Sequence, residues 1–189
     1  GFHHPATTLK ARLEIRGNRM FEELQEQLHF AFRRCGVLVA ALSNEEMKTV
    51  EGLYEQGVAN GAVGIELCSR SRMLQLEPKL NPDVVGGLHA PGGGIIEPYR
   101  FVFSLVESAL KNGVRLRTDF EVVAAEHEDD RYLIHSPTDT IAARYVVNAA
   151  GLYADRISSI FGAETFTIVP RKGEEFLMDR NAAAYTQRV

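Results

Sequence analysis

An α/β architecture, helices and short strands in mixture, is the fold class this sequence predicts, and three observations point to it. Amphipathic stretches at helical spacing alternate with short β-rich runs along the chain. The 189 residues are 45% hydrophobic and 24% charged, the balance of a globular chain able to bury a core. Finally, "RYVVNAAGLYAD", residues 144–155, drops from a β-branched apolar run into Ala149, Ala150 and Gly151 just before a helix opens. Small residues where a strand hands over to a helix let another group approach the backbone, as a nucleotide does in open α/β sheets. Tight packing of the strand on a neighbouring helix is the other reading.

The elements follow in order. Residues 19–28 set Met20, Phe21, Leu24 and Leu28 on one helical face, with Glu and Gln opposite. Phe30 and Phe32 alternate before a polar break at Arg33 and Arg34, and a β-rich run follows from Gly36, so a hairpin is expected. Ser43 with Glu46 makes a capping box, and Met47, Val50, Leu53 and Tyr54 carry the helical period to Gly57 or Gly61. Ser69 caps a short helix through Leu76, and "VVGGLHAPGGGIIEP" is an extended stretch interrupted by glycines. Pro98 opens a helix whose wide apolar face carries Phe101, Val102, Leu105, Val106, Ala109 and Leu110, ended by Asn112 and Gly113. A strand is expected at "VRLR", then a meander through "EVVAAEHEDDRYLIHS" and "TIAARYVVNAAG", turning at Asp129–Asp130 and again at Pro137, Thr138 and Asp139. A helix after Tyr153 closes at Gly162, and "TFTIVPRKGEEFLMD" supplies two more short strands around Pro170 to Gly173.

The bulk numbers narrow the function classes. A net charge of −4 and a pI near 5.9 give no global field for a polyanion, so no nucleic-acid partner is expected, while a local basic site for a small anion stays open. Cys35 and Cys68 lie far apart, with no second cysteine at metal or redox spacing, which fits a reduced cytoplasmic chain with packed thiols. No apolar run approaches the ~20 residues of a membrane span, so no transmembrane segment is expected. The chain starts at Gly1 without a Met and reads as a fragment of a longer protein.

Few motifs carry chemistry. The Gly92, Gly93, Gly94 triplet invites a phosphate-loop reading, but Ile95, Ile96 and Glu97 stand between it and the helix at Pro98, so it is no G-x-G-x-x-G fingerprint. Arg171 and Lys172 place two cations in one turn, suited to a carboxylate or phosphate, or else simply solvated. His3 and His4 are available as acid/base groups; no third ligand is spaced to join them in a metal site. Glu97 sits well against the dipole of the helix that follows.

Taken in order, "GFHHPATTLKARLEIRGNRMFEEL", "LHAPGGGIIEPYRFVFSLVESALKNGV", "EVVAAE", "YVVNAAGLYADRIS" and "IVPRKGEEFLMD" resemble the FAD-dependent oxidoreductases of the D-amino-acid oxidase superfamily, in the branch of glycerol-3-phosphate dehydrogenases and L-2-hydroxyglutarate oxidases. The resemblance covers essentially the whole chain. It implies an incomplete Rossmann-like FAD domain, residues 1–28 and 92–160, interleaved with a mixed-sheet substrate domain, residues 29–91 and 161–189. It implies FAD as cofactor, with the backbone at Val122 near the adenine end and Ala149, Ala150 and Gly151 close beside the dinucleotide. It places His3 and His4 near the flavin or substrate, one of them a candidate base, and Arg171, with Lys172 second, at the substrate's anionic group. Relatives commonly carry an aromatic residue after "KGE", where this chain has Glu175. The implied reaction is hydride transfer from the secondary alcohol of a small anionic substrate, sn-glycerol 3-phosphate foremost; an L-2-hydroxy acid or an amine is the alternative. The chain alone is expected to bind FAD poorly and to be inactive, and a non-catalytic interaction module is a further reading. Peripheral contact of the full-length protein with a membrane stays open, and the sequence names no electron acceptor.

Overall fold

In the computed structural model, which describes residues 1–174, 179 and 181, the first helix begins well upstream of its apolar stripe. Helix α1 spans Leu9–Leu28. Thr8 caps it, its side-chain oxygen accepting from the Ala11 N–H at 3.2 Å. The early turns, "LKARLEIRGN", are rich in good helix formers but show little apolar period, so propensity and the Thr8 cap set the start. His29, at φ 57°, ends the helix in the left-handed region, donating its N–H to the Gln25 carbonyl at 2.8 Å. The chain divides into two units, one holding Gly1–Val114 and one starting at Arg115.

The core of the first unit is a three-stranded antiparallel sheet in the order β2 (Val37–Ala41), β4 (Gly86–Ala90), β3 (Glu66–Ser69). Strand β4 is central and buried at every residue. Leu88 pairs with Val39 on one side and Leu67 on the other, and lies in a cluster with Phe2, Ala41, Val50 and Ala90. Val50 comes from α2, Asn44–Ala59, which is capped as expected: the Ser43 hydroxyl accepts from Glu46 N–H, and Glu46 reaches back to the Leu42 N–H. A second cluster, Cys68, Met73, Leu76 and Val84, gathers around α3, Arg70–Leu76, where Ser69 is the cap. Gly87 separates the two: a Cβ there would run into the Val39 carbonyl oxygen and the Met73 side chain.

The expected hairpin after α1 does not form. Strand β1, Phe32–Arg34, pairs with the distant β5, Gly94–Ile96, while β2 pairs with β4. The two chain stretches run antiparallel past each other and are linked where the Gly36 N–H donates to the Gly93 carbonyl at 3.0 Å. Gly36, at φ 75°, provides the bend between β1 and β2. Arg33 and Arg34 are therefore strand residues: Arg34 is partnered within the fold, and Arg33 points to solvent, so neither charge forces a turn.

Helix α4, Pro98–Lys111, takes Pro98 at its first turn as expected. Phe101 meets Phe21 and Phe30 at ring-centroid distances of 5.6 and 4.7 Å. No residue of α4 is buried, however, and Val102, Phe103 and Leu110 stay exposed.

In the second unit β6 (Ala124–Glu128), β7 (Arg131–His135) and β8 (Thr140–Ala143) form the expected meander. Asp129, at φ 51°, makes the first turn. Ser136 organises the second, its hydroxyl oxygen accepting from the Thr138 and Asp139 N–H groups. A short 3-10 turn, Gly151–Tyr153, leads into α5, Ala154–Ile160, which ends at Gly162 with φ 62°. Three expected strands are not formed: residues 114–117, 144–150 and 165–169 have no ladder partner among the described residues. Tyr145 and Val147 are each 89% exposed. Their β-branched and aromatic residues suit a strand, but a strand exists only where a neighbouring edge accepts its hydrogen bonds. The second strand expected around Gly173 falls largely at residues 175–178, outside the described residues. Among the described residues no helix is long and apolar enough to cross a membrane.

Candidate functional site

A cavity of about 550 Å³ opens in the first unit between Phe2 and His3, the α1 residues Asn18 and Arg19, and the bend at Pro91–Gly93. Gly93 is required by crowding, since a Cβ would strike the Val37 side chain. His3 lines this cavity, its ring 4.2 Å from that of Phe2. His4 turns away and places Nε2 3.0 Å from Glu14. The two adjacent histidines thus stand in different surroundings.

Arg34 also borders the cavity, and all of its donors are used. Nε and Nη2 donate to the Glu22 carboxylate, Nη1 to the Gly92 carbonyl and to Asn18 Oδ1 at 3.0 Å, and Nη2 to the Asn18 carbonyl at 2.8 Å. The Arg34 hydrogen bond holds the Glu22 carboxyl below its usual range. With no N–H group left over, Arg34 braces α1 against the glycine bend and is not a clamp for substrate. The sequence reading missed this network; its signal was an arginine inside a β-rich run.

A second missed pair is His89 and Glu66, neighbours across β3 and β4, with Nδ1 3.0 Å from Glu66 Oε1. His89 is 7% exposed and its Nε2 has no hydrogen-bond partner among the described residues. His89 first, then Arg72, hold the Glu66 carboxyl below its usual range against the burial that pushes it up. Burial likewise pushes the Cys68 thiol up, as a packed cysteine requires.

The remaining sequence-derived candidates belong to the second unit. Val122 stands half-buried just before β6. Ala149, Ala150 and Gly151 form one turn, in which Asn148 Oδ1 accepts from the Ala150 N–H at 3.2 Å and its amide donates to the Ala154 carbonyl at 2.7 Å. Gly151 has φ 56°, and none of the described residues lies within 4 Å of where its Cβ would be. Crowding by a helix therefore does not explain the small residue; the left-handed backbone does. The open side at Gly151 and the methyl-sized neighbours fit a dinucleotide passing there. Arg171 is exposed, with no hydrogen bond or ion pair among the described residues, while Lys172 Nζ lies 2.8 Å from Glu174.

Just past this turn, Asp155 accepts from the Ile168 N–H at 3.0 Å and the Arg156 N–H at 2.8 Å, and these bonds hold its carboxyl below the ordinary value of 3.8. A depressed carboxyl adds stability above that value and loses it as pH falls through the lower folded one. Hydrogen exchange at the Ile168 amide is expected to show acid-induced opening in that window, and Asp155→Asn to abolish it; identical profiles for both proteins contradict the assignment.

The chain belongs to the DAO family of FAD dependent oxidoreductases, whose pattern matches residues 1–188. It is 41% identical to the glycerol 3-phosphate dehydrogenase of Caloramator mitchellensis over 95% of this chain and 38% of that protein. It is 28% identical to the mitochondrial L-2-hydroxyglutarate dehydrogenase of Homo sapiens, over 94% of this chain and 41% of that one. Among solved structures it resembles the dithionite-reduced L-alpha-glycerophosphate oxidase from Mycoplasma pneumoniae with FAD bound, with a TM-score of 0.78 and 27% identity over 88% of this chain and 45% of that chain. The chain spans less than half the length of each.

Proposed function

We propose that the intact protein oxidises the secondary alcohol of sn-glycerol 3-phosphate, with FAD accepting the hydride. The 41% identity to a glycerol 3-phosphate dehydrogenase across 95% of the chain carries this reading. Residues 1–28 and 92–160 belong to the FAD domain in this proposal, and residues 29–91 and 161–189 to the substrate domain. Ala149, Ala150 and Gly151 leave room beside the cofactor, and Val122 lies towards its adenine end. Arg171, assisted by Lys172, holds the substrate's anionic group, where a planar guanidinium matches phosphate oxygens. His3 or His4 takes the hydroxyl proton, the task for which an imidazole suits neutral pH.

L-2-hydroxyglutarate is the second reading, favoured by the 28% identity to the human dehydrogenase that acts on it by name. Anaerobic mixing of the intact, flavin-loaded protein with each compound separates the two. Bleaching of the flavin absorbance by glycerol 3-phosphate is the expected result. Bleaching by L-2-hydroxyglutarate alone transfers the assignment, and bleaching by neither returns the non-catalytic reading.

A further inference from the structure

Arg16 on α1 has like-charged neighbours on both sides at helical contact distance, Arg12 four residues before it and Arg19 three after. Two carboxylates stand at the right spacing to offset Arg19, and among the described residues neither forms an ion pair with it. Glu22 is held by Arg34, and Glu23 Oε1 accepts from Gln27 Nε2 at 3.1 Å. Glu14, the other acid of these turns, faces His4. Arg19 reaches only the Gly61 carbonyl, at 3.4 Å, and Arg12 and Arg16 have no hydrogen-bond or ion-pair partner among the described residues.

Arg12, Arg16 and Arg19 line one depression of about 430 Å³, in which Glu23 is the single carboxylate-bearing residue. Asn60 is at its edge, its amide fixed by donating to the Gly1 and His4 carbonyls at 2.7 and 2.8 Å. Like charges in a row on one helix face are unfavourable until an anion sits among them, and guanidinium geometry matches phosphate oxygens. We propose that Arg12, Arg16 and Arg19 form a phosphate-binding site on α1. Arg19 borders both this depression and the His3 cavity, whereas Arg12 and Arg16 border this one alone. Exposed Leu9 and Leu13 lie beside them on the helix, so a phosphate carried by a lipid headgroup fits as well as one in solution. The site goes beyond the catalytic reading and does not depend on it.

The test uses the intact, flavin-loaded protein and the double variant Arg12→Gln, Arg16→Gln. Calorimetric titration with inorganic pyrophosphate probes a soluble ligand, and co-sedimentation with phosphatidylglycerol vesicles, against phosphatidylcholine vesicles, probes a headgroup. The wild type is expected to bind pyrophosphate or the anionic vesicles, more weakly as salt rises, and the double variant to lose about tenfold in affinity or more. The variant Arg12→Lys, Arg16→Lys keeps the charge without the planar fork and is expected to fall between them. Binding of pyrophosphate supports a soluble phosphate, and binding of phosphatidylglycerol vesicles alone supports a headgroup. Binding of neither probe by the wild type, or equal binding by wild type and both variants, overturns the site. Flavin bleaching by substrate is expected to be unchanged in both variants, so a failure here is distinct from a failure of the proposed reaction.

Discussion

Replacing Leu88 by alanine is expected to cost the first unit about 3 kcal/mol of stability, within the range for a large buried side chain cut to alanine. Leu88 has no exposed surface and sits on the central strand, flanked by Val39 and Leu67 and packed in the cluster with Phe2 and Val50. Removing its isobutyl group takes apolar atoms out of a dense interior, and the two flanking ladders hold β4 in place, so the walls relax little into the space. Against a total stability of about 5–15 kcal/mol for a typical domain, the loss is large. Urea denaturation followed by circular dichroism is the measurement, with a lower midpoint at unchanged slope as the expected outcome. Leu67, its neighbour on β3, is 42% exposed, and Leu67→Ala is expected to cost less than half as much. Equal costs at the two positions contradict the placement of Leu88 at the centre of the core.

Arg171→Ala is expected to lower kcat/KM for glycerol 3-phosphate about 100-fold in the intact protein, the equivalent of about 2.7 kcal/mol lost from the transition state. Charge-assisted, two-pronged hydrogen bonds are of that size where water is excluded. Arg171 suits the task because no carboxylate among the described residues occupies it, whereas Lys172 is paired with Glu174. Lys172→Ala is therefore expected to have the smaller effect, and Arg171→Lys to recover only part of the activity, because an ammonium lacks the fork. Flavin content, read from absorbance, is expected to stay at the wild-type level. An Arg171→Ala protein within threefold of wild type locates the clamp elsewhere.

Much of the first unit was legible because its signals are local. Ser43 with Glu46, Ser69 before Arg70, and Pro98 after Glu97 each mark a helix start through hydrogen bonds or a dihedral angle set within a few residues, and all three helices begin there. The meander turns at Asp129 and around Ser136 are equally local. The α1 start was hidden, since charged helix formers before Arg19 give no apolar period. Strand partners were not legible either. Phe32 faces Ile96 across a long separation in sequence, and nothing in "FAFRRCGVLVAAL" distinguishes that pairing from a local hairpin.

The candidate site divides in the same way. His3, the run Ala149 to Gly151 and the cations Arg171 and Lys172 are proposed from residue type together with the family resemblance. Arg34, Asn18 and Gly92 could not be, because their network joins a helix, a strand and a bend that are remote along the chain.

By itself the sequence determined the starts of α2, α3 and α4, the turns of the meander and the family, each of which is written in short-range pattern or in the order of its segments. The tertiary structure alone decided that β1 pairs with β5, that Arg34 is a spent brace and not a ligand clamp, and that Arg12, Arg16 and Arg19 form no ion pair among the described residues. The reason is physical: a donor's partner is whatever the folded backbone brings within about 3 Å, and that distance is fixed by packing between segments far apart in the chain.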